Sequence, residues 1–290
     1  MALVKRHPLV SFFVLAYALA WIIESPLVFL GDSVSDAQVL AVQILSANVP
    51  SVVAIVLTAI VLGRGALRKL LGRLLIWRVD PRWYLVVVLG PVALAGGAVG
   101  LNALVGGPAP SLGMPLVSVA VFLAFSIFPG SAVGEEVGWR GYALPRLQAG
   151  RSALGAALIL APIWGMWHLP LFLAGWLQGD RTPALFAAFL VSAFAMSILL
   201  TWVYNSTGGS LLMVVLLHAT ANLPITLSTD ELPQLMYFGL TVVAAIVVVV
   251  VAGPKHLSRK HRKQEQEDPS RISPKPSVYD ARPEAQPQAH

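Results

Sequence analysis

The sequence predicts an all-α membrane protein, a polytopic bundle of transmembrane helices around an intramembrane polar cavity. The 290-residue chain is 57% hydrophobic and 12% charged, with a mean hydropathy of +0.74. Soluble domains carry about 25% charged residues, roughly twice as many. The apolar stretches are also long and continuous, as membrane helices of about 20 residues require, and lack the alternation of barrel strands.

Eight apolar segments are long enough to cross a bilayer. The first is preceded by the basic residues Lys5 and Arg6, and residues 18–20 resemble a signal-cleavage site. Apolar residues continue as far as Leu30, so we interpret this segment as an uncleaved first span. The sequence therefore predicts one membrane domain over residues 1–253, with these eight spans: 9–31, 38–62, 84–106, 115–136, 153–175, 183–204, 209–229 and 233–252.

The loop charges predict the orientation. With the N-terminus in the cytoplasm, every Lys and Arg except Arg181 lies at the inner side of the membrane. Inner loops of membrane proteins carry this excess of basic residues. We therefore expect a multi-pass protein of the cell membrane with both termini in the cytoplasm. The acidic residues of the external loops agree with this orientation: Asp32, Asp36, Asp180, Asp230 and Glu231.

The basic segments point to a membrane surface as their partner. Loop 63–83 has leucines at helical spacing among basic residues, which predicts an amphipathic helix on the inner leaflet. Residues 254–290 are charged and Pro-rich, which predicts a disordered tail whose first part contacts anionic lipid. The sequence pI of 9.8 therefore does not indicate nucleic acid. Within the third span, Gly96 and Gly100 form a GxxxG pair, which predicts a close helix contact.

A few polar residues lie inside the apolar spans, where an ionised side chain costs several kcal/mol and usually marks a functional site. Their positions are Glu24, Glu135, Glu136, His168, His218 and Asn222. Pro129-Gly130, Pro170 and Pro224 lie close to the last five. Irregular backbone at membrane depth is tolerated where it is packed in protein or lines a wet cavity. The sequence therefore predicts one polar site built from three spans.

Helical spacing assigns different environments to these residues. His218 and Asn222 are four residues apart and project from one face of their helix. Glu135 and Glu136 are about 100° apart on theirs and face different neighbours. Arg140 follows Glu136 by four residues, a spacing that favours an ion pair. We therefore expect Arg140 to hold Glu136 and to leave Glu135 free to react.

These side chains suit hydrolysis without a covalent intermediate. Glu135 with His168 can activate a water molecule, and His218 with Asn222 can donate hydrogen bonds to an oxyanion. The chain has no cysteine, which excludes disulfides, thiolate ligands and a cysteine nucleophile. We expect no cofactor. A zinc site made by Glu135 and the two histidines stays an alternative, although the HExxH pattern is absent.

Three motifs follow one another on three apolar spans: Glu135-Glu136-x-x-x-Arg140, Trp164-x-x-x-His168 and His218-x-x-x-Asn222. In these the chain resembles the CPBP intramembrane proteases, which include type II CAAX prenyl endopeptidases and bacterial paralogues, some linked to bacteriocin immunity. The resemblance covers residues 115–229. Trp164 stands where the family usually has Phe, and we expect a packing adjustment there with intact chemistry.

The resemblance implies a glutamate-type intramembrane endopeptidase that acts on a membrane-anchored peptide or protein, with a lipidated CAAX-like protein as one substrate class. It implies that Glu135 and His168 activate water, that His218 and Asn222 form the oxyanion site, and that Glu136 with Arg140 supports them. Two other classes stay open. One is a non-proteolytic immunity or scaffold protein with the same fold. The other is a small transporter with a proton relay, against which the missing inverted repeat weighs.

Overall fold

The computed structural model describes residues 2–107, 116–175, 183–227 and 231–259. Over these ranges the chain is helical and contains no strand. The helices are α1 (Ala2–Arg6), α2 (Pro8–Leu30), α3 (Asp36–Gly72), α4 (Arg82–Leu104), α5 (Leu116–Ile127), α6 (Ser131–Glu136), α7 (Leu144–Gln148), α8 (Ala153–Trp167), α9 (Leu169–Leu173), α10 (Pro183–Ser206), α11 (Leu211–Leu227) and α12 (Glu231–Ala252). Two short 3₁₀ turns, Gly31–Ser33 and Arg73–Leu75, and a π-helix, Val137–Ala143, complete the set.

The predicted all-α polytopic bundle is confirmed. Seven helical segments of the described chain are long and apolar enough to cross a membrane. The predicted span 209–229 corresponds to a shorter apolar helix, Leu211–Leu223. The protein is therefore a multi-pass membrane protein. The seven longer segments are Pro8–Leu30, Asp36–Leu75, Arg82–Leu104, Val117–Gln148, Ala153–Leu173, Pro183–Ser206 and Leu232–Ala252.

The fourth predicted span, 115–136, is wrong at its C-terminal end and in its continuity. Helix α5 ends at Ile127, and the chain restarts as a helix at Ser131 and continues to Gln148. Pro129 has no N–H to give to a helical ladder, and the N–H of Gly130 bonds the Phe125 carbonyl at 2.7 Å. Glu135 and Glu136 therefore lie within this helical segment and not at its end. Both are buried among polar partners inside the bundle.

The loop predicted to form an amphipathic helix is helical for most of its length. Helix α3 is kinked at Gly63, whose φ of 78° suits glycine, and then continues to Gly72. Leu70 is buried in the core, whereas Leu75 is 76% exposed. One side of this basic helix therefore packs on the bundle. Contact of its other side with the inner leaflet stays a prediction.

The first residues of the predicted tail are packed on the bundle. Of the segment 254–290, the structure describes residues 254–259. The first two N–H groups of α8 donate to the carbonyl oxygens of Lys255 and Pro254, at 2.8 and 3.0 Å. The side-chain amide of Asn205 donates to the next carbonyl at 2.8 Å, and Leu257 is fully buried. The predicted disorder of the remaining residues lies outside the described part of the chain.

The predicted close contact at Gly96 and Gly100 is wrong. A Cβ placed on either glycine meets no atom within 4 Å, and both residues lie on the exposed surface of α4. Gly97 is the residue that approaches another helix, since its Cβ would lie 3.0 Å from Leu240 on α12. Gly96 and Gly100 do share one face of α4, but the face that packs on another helix is the neighbouring one, which carries Gly97.

Close backbone packing between α3 and the segment α6–π-helix fixes the position of the paired glutamates. A Cβ on Gly134 would lie 2.5 Å from the carbonyl oxygen of Ala47. A Cβ on Gly138 would lie 2.6 Å from the backbone of Pro50. The Ser51 hydroxyl also donates to the carbonyl of α6 that precedes Gly134, at 2.8 Å. Glu135 and Glu136 therefore stand on a helix that cannot shift along α3.

Candidate active site

Glu135 and Glu136 project from α6 toward different partners, as their angular separation predicts. Oε2 of Glu135 accepts a hydrogen bond from the indole Nε1–H of Trp164 on α8, at 2.6 Å. Oε1 of Glu136 accepts from Arg140 Nη1 at 2.9 Å and from His218 Nδ1 at 2.6 Å. Both carboxylates are buried, with 2% and 0% of their residue surface exposed. One glutamate is tied to a neighbouring helix, and the other links its own helix to α11.

Arg140 lies in the π-helix that follows α6 and is fully buried. Its ion pair with Glu136 joins two side chains of 0% exposure. Its guanidinium also lies over the ring of Trp164, 4.4 Å from the centroid, which is a favourable cation–π geometry. The predicted Glu136–Arg140 pair is thus present, and it is in contact with the residue that bonds Glu135. A buried pair of this kind is destabilised strongly when one partner is removed.

His168 stands at the junction where α8 ends and α9 begins. Its Nδ1 lies 2.9 Å from the carbonyl oxygen of Trp164. Because a carbonyl only accepts, Nδ1 must carry the proton, and in the neutral ring Nε2 is then an acceptor. The ring packs edge-on against Trp164, Trp167 and Phe189, with centroids 5.7, 4.9 and 5.2 Å away. These contacts fix the ring and its tautomer.

His218 and Asn222 project from one face of α11 toward α6, as their spacing predicts. His218 reaches Glu136 and also places its Nε2 4.0 Å from Oε1 of Glu135. Asn222, one turn further, donates from Nδ2 to the hydroxyl of Ser131 at 3.3 Å. Since Nδ1 of His218 donates to a carboxylate, Nε2 can also donate only in the imidazolium form. Ser131 is a site neighbour that sequence reasoning missed.

Trp164 contacts more of this cluster than its prediction as a packing residue implied. It hydrogen bonds Glu135, lies under Arg140, and packs edge-on against both His168 and His218, each at 5.7 Å between centroids. A phenylalanine at this position would keep the ring contacts but has no N–H to donate. The Trp at this position, where the family usually has Phe, was the sequence signal that could have indicated a hydrogen bond from the indole N–H.

Glu24, the remaining acidic residue of the apolar spans, lies inside the bundle. It is completely buried in α2, and neither carboxylate oxygen has a hydrogen-bond partner in the part of the chain that the structure describes. The Ser46 hydroxyl of α3 is near its carboxylate, and Glu24 and Glu135 lie within electrostatic range of each other. Sequence reasoning did not place Glu24 beside the site, because its helix carries no other motif residue.

The zinc alternative requires three ligands close together. Within the described ranges, no three His, Asp or Glu side chains are grouped closely enough to hold a metal ion. Oε2 of Glu135 and Nδ1 of His168 bond Trp164, and Nδ1 of His218 bonds Glu136. Dependence on zinc is therefore a matter for the chelator experiment below.

The fold and the site together define a multi-pass helical membrane protein with a Glu–His–His–Asn cluster, in which Glu135 and His218 are buried and His168 and Asn222 are partly buried. The family model of type II CAAX prenyl endopeptidases, Rce1-like, matches residues 115–224. Over 100 residues, 32% of this chain, the sequence is 29% identical to CAAX prenyl protease 2 of Methanococcus maripaludis. That alignment spans 36% of the curated relative. These matches confirm the resemblance to the CPBP family that the three motifs indicate, over the segment that carries all of them.

Proposed function

We propose that the protein is an intramembrane endopeptidase of the glutamate type, which hydrolyses a peptide bond of a membrane-associated protein. The observation that carries the proposal is the cluster in which the indole of Trp164 contacts the Glu135 carboxylate and both imidazoles. A carboxylate and a histidine in this proximity form a general acid–base pair. The family match supports the same reading, since the relative is a CAAX prenyl protease.

In the proposed reaction, Glu135 removes a proton from water while the water oxygen attacks the carbonyl carbon of the substrate. Oε1 is the oxygen for this step, because Oε2 accepts from Trp164. His168 can hold the same water through Nε2, since its Nδ1 is bonded to a backbone carbonyl. The proton taken by Glu135 then passes to the amine nitrogen as the C–N bond breaks. No covalent intermediate with the enzyme is formed.

The negative charge that develops on the carbonyl oxygen needs hydrogen-bond donors. Asn222 can supply its amide, whose contact with Ser131 is long at 3.3 Å. His218 can supply Nε2–H in its imidazolium form, which Glu136 stabilises by accepting from Nδ1. Glu136 and Arg140 therefore act on the reaction through the orientation and charge of His218.

The proposal extends to the surroundings of the site. We place the protein in the cell membrane with both termini in the cytoplasm, because its basic residues are concentrated in the inner loops. Those loops would contact anionic lipid. The substrate is a membrane-anchored peptide or protein, with lipidated CAAX-like proteins as the first class to test. We propose that no metal takes part, because the four side chains supply base, water contact and oxyanion donors by themselves.

The test is proteolysis in liposomes containing the purified full chain. A panel of membrane-anchored and farnesylated peptides is offered to the wild type and to Glu135→Gln, each with and without a zinc chelator. Asp80→Asn serves as the control, because Asp80 is an exposed carboxylate that pairs with Arg82 at the surface. Cleavage that survives the chelator, is lost in Glu135→Gln and persists in Asp80→Asn is the expected result.

Three outcomes would contradict the proposal. Cleavage abolished by the chelator and restored by zinc would move the chemistry to a metal. Equal cleavage by Glu135→Gln and the wild type would exclude Glu135 as the base. If no peptide is cleaved and a cellular phenotype of the wild type survives Glu135→Gln, the non-proteolytic immunity or scaffold alternative would replace the proposed function.

A further inference from the structure

We propose that Trp164 is a positioning residue for the base, acting through its indole N–H, and that this bond selects Oε1 of Glu135 as the reacting oxygen. The inference rests on the proposed function for its catalytic part. Its structural part, the bond between indole and carboxylate, stands on geometry alone. The N···O distance of 2.6 Å is slightly shorter than the range of about 2.7–2.9 Å for charge-assisted N–H···O bonds.

A carboxylate on a helix can rotate about its terminal torsion, which is broad and roughly two-fold. Either oxygen would then face the reaction centre. The indole N–H is a single, directional donor, and it holds Oε2 toward α8. Oε1 is consequently presented toward α11, where it lies 4.0 Å from Nε2 of His218. The hydrogen bond thus sets both the orientation of the carboxylate and the identity of its free oxygen.

Trp164 is itself held in place from three sides. Gly165, the next residue, packs tightly on α10, since a Cβ there would lie 2.8 Å from Leu190. The carbonyl of Trp164 accepts from His168 Nδ1 at 2.9 Å. The guanidinium of Arg140 covers one ring face at 4.4 Å. A cation over the ring withdraws electron density and makes the N–H a stronger donor. Arg140 therefore strengthens the hydrogen bond between the indole and Glu135.

The same side chain also joins the two halves of the site. Trp164 is on α8, four residues before His168, while Glu135 is on α6. The bond therefore fixes the distance between the base and the histidine that shares its water. Without the N–H, the ring would still fill its space, but nothing on α8 would orient the carboxylate. We expect the loss to reduce kcat and to leave KM nearly unchanged, because the indole orients the base and does not hold the substrate.

The first experiment detects the bond without any substrate. The chain has eight tryptophans, and their indole N–H signals can be recorded by TROSY spectroscopy in nanodiscs and assigned with Trp164→Phe. A charge-assisted bond places the Trp164 proton far downfield. Glu135→Gln, which replaces the charged acceptor by a neutral amide, should move this signal upfield. Glu24→Gln, a change at the other buried glutamate nearby, should leave it in place.

The second experiment removes only the indole N–H of Trp164. Benzothienylalanine, which has sulfur in place of the indole nitrogen, is incorporated at position 164, and at position 21 as the control. Trp21 donates its N–H to the backbone carbonyl of Trp167 at 3.0 Å, so the same change there removes an indole hydrogen bond that does not involve Glu135. With a farnesylated fluorogenic peptide, kcat should fall roughly 10- to 100-fold at position 164, as loss of one charge-assisted bond predicts. At position 21 it should stay near the wild-type value.

The outcomes separate this inference from the proposed function. An indole signal that does not respond to Glu135→Gln would overturn the bond, whatever the activity. An unchanged kcat with benzothienylalanine at position 164 would overturn the positioning role. A signal that moves in a protein that hydrolyses none of the peptides, and whose cellular phenotype survives Glu135→Gln, would support the bond and contradict the proposed function.

Discussion

Oε1 of Glu136 lies 2.6 Å from Nδ1 of His218, and the same oxygen accepts from Arg140 at 2.9 Å. One carboxylate oxygen thus connects the helix that carries the glutamates to α11, at a place where all three side chains are buried. The orientation of His218 depends on this oxygen. Stability and chemistry are therefore linked at Glu136, and the two effects can be separated by substitution.

We expect Arg140→Ala to lower the free energy of unfolding by about 3–5 kcal/mol, because it leaves the Glu136 carboxylate buried without its cation. Thermal unfolding in detergent measures the change. The double variant Arg140→Ala/Glu136→Gln should lose less than the sum of the two single variants, since the uncompensated charge is gone. An Arg140→Ala protein that is fully stable but inactive would contradict the supporting role and assign Arg140 to the reaction itself.

We expect Gly134→Ala to destabilise the bundle by about 1–3 kcal/mol, as overpacking does. The new Cβ would lie 2.5 Å from a backbone oxygen of α3, and backbone cannot move aside as a side chain can. Gly100→Ala is the matched control, because its Cβ enters open space on α4. Both are compared by thermal unfolding. Equal melting temperatures for the two variants would show that α3 and α6 are not in backbone contact.

We expect Asn222→Ala to lower kcat by about 10²- to 10³-fold, the effect of removing one oxyanion donor, with little change in the melting temperature. Ser131→Ala is the control, because it removes the hydroxyl that the Asn222 amide contacts but takes no donor from the proposed oxyanion site. Its kcat should remain close to that of the wild type. A similar loss in both variants would indicate that Asn222 serves only to bind Ser131.

We expect Leu257→Ala to cost about 2–5 kcal/mol of stability, as buried leucines do. Leu257 is fully buried although it follows the last membrane helix. Leu75→Ala, at a leucine that is 76% exposed, should change the melting temperature much less. Chemical or thermal unfolding of the full chain measures both changes. If Leu257→Ala has the same melting temperature as the wild type, the packing of residues 254–259 contributes nothing to stability.

The features that the sequence predicted are those with a regular repeat or a simple length requirement. Hydropathy and length gave the membrane helices, and the four-residue spacing of His218 and Asn222 gave their shared face. The same spacing gave the pair of Glu136 and Arg140. In each case the residues lie on one helix, so no knowledge of how helices approach one another was needed.

The features that sequence reasoning missed depend on contacts between helices. The indole of Trp164 could be assigned to Glu135 only after α8 and α6 were placed side by side. Glu24 could be called buried only once α2 was known to pack on α3. The ordered residues 254–259 were hidden by their charged, Pro-rich composition, since Leu257 alone provides the apolar anchor. The predicted contact at Gly96 and Gly100 was wrong because a helix has several faces, and the motif does not show which face packs against another helix.

The π-helix from Val137 to Ala143 also has a consequence for how this segment can change length. A π-helix holds its residues on a wider turn than an α-helix, with hydrogen bonds that reach one residue further; here the N–H of Leu144 bonds the carbonyl of Trp139. Deleting one residue from this turn would let the backbone return to α-helical pitch, and the tighter turn would offset most of the rotation of about 100° that a deletion causes in a regular α-helix. The glutamates would stay against α3, and the buried leucines of α7 would keep facing the core. A single-residue deletion should therefore be better accepted within this turn than elsewhere in the helices of this protein, because the π-helix holds the extra residue that the deletion removes.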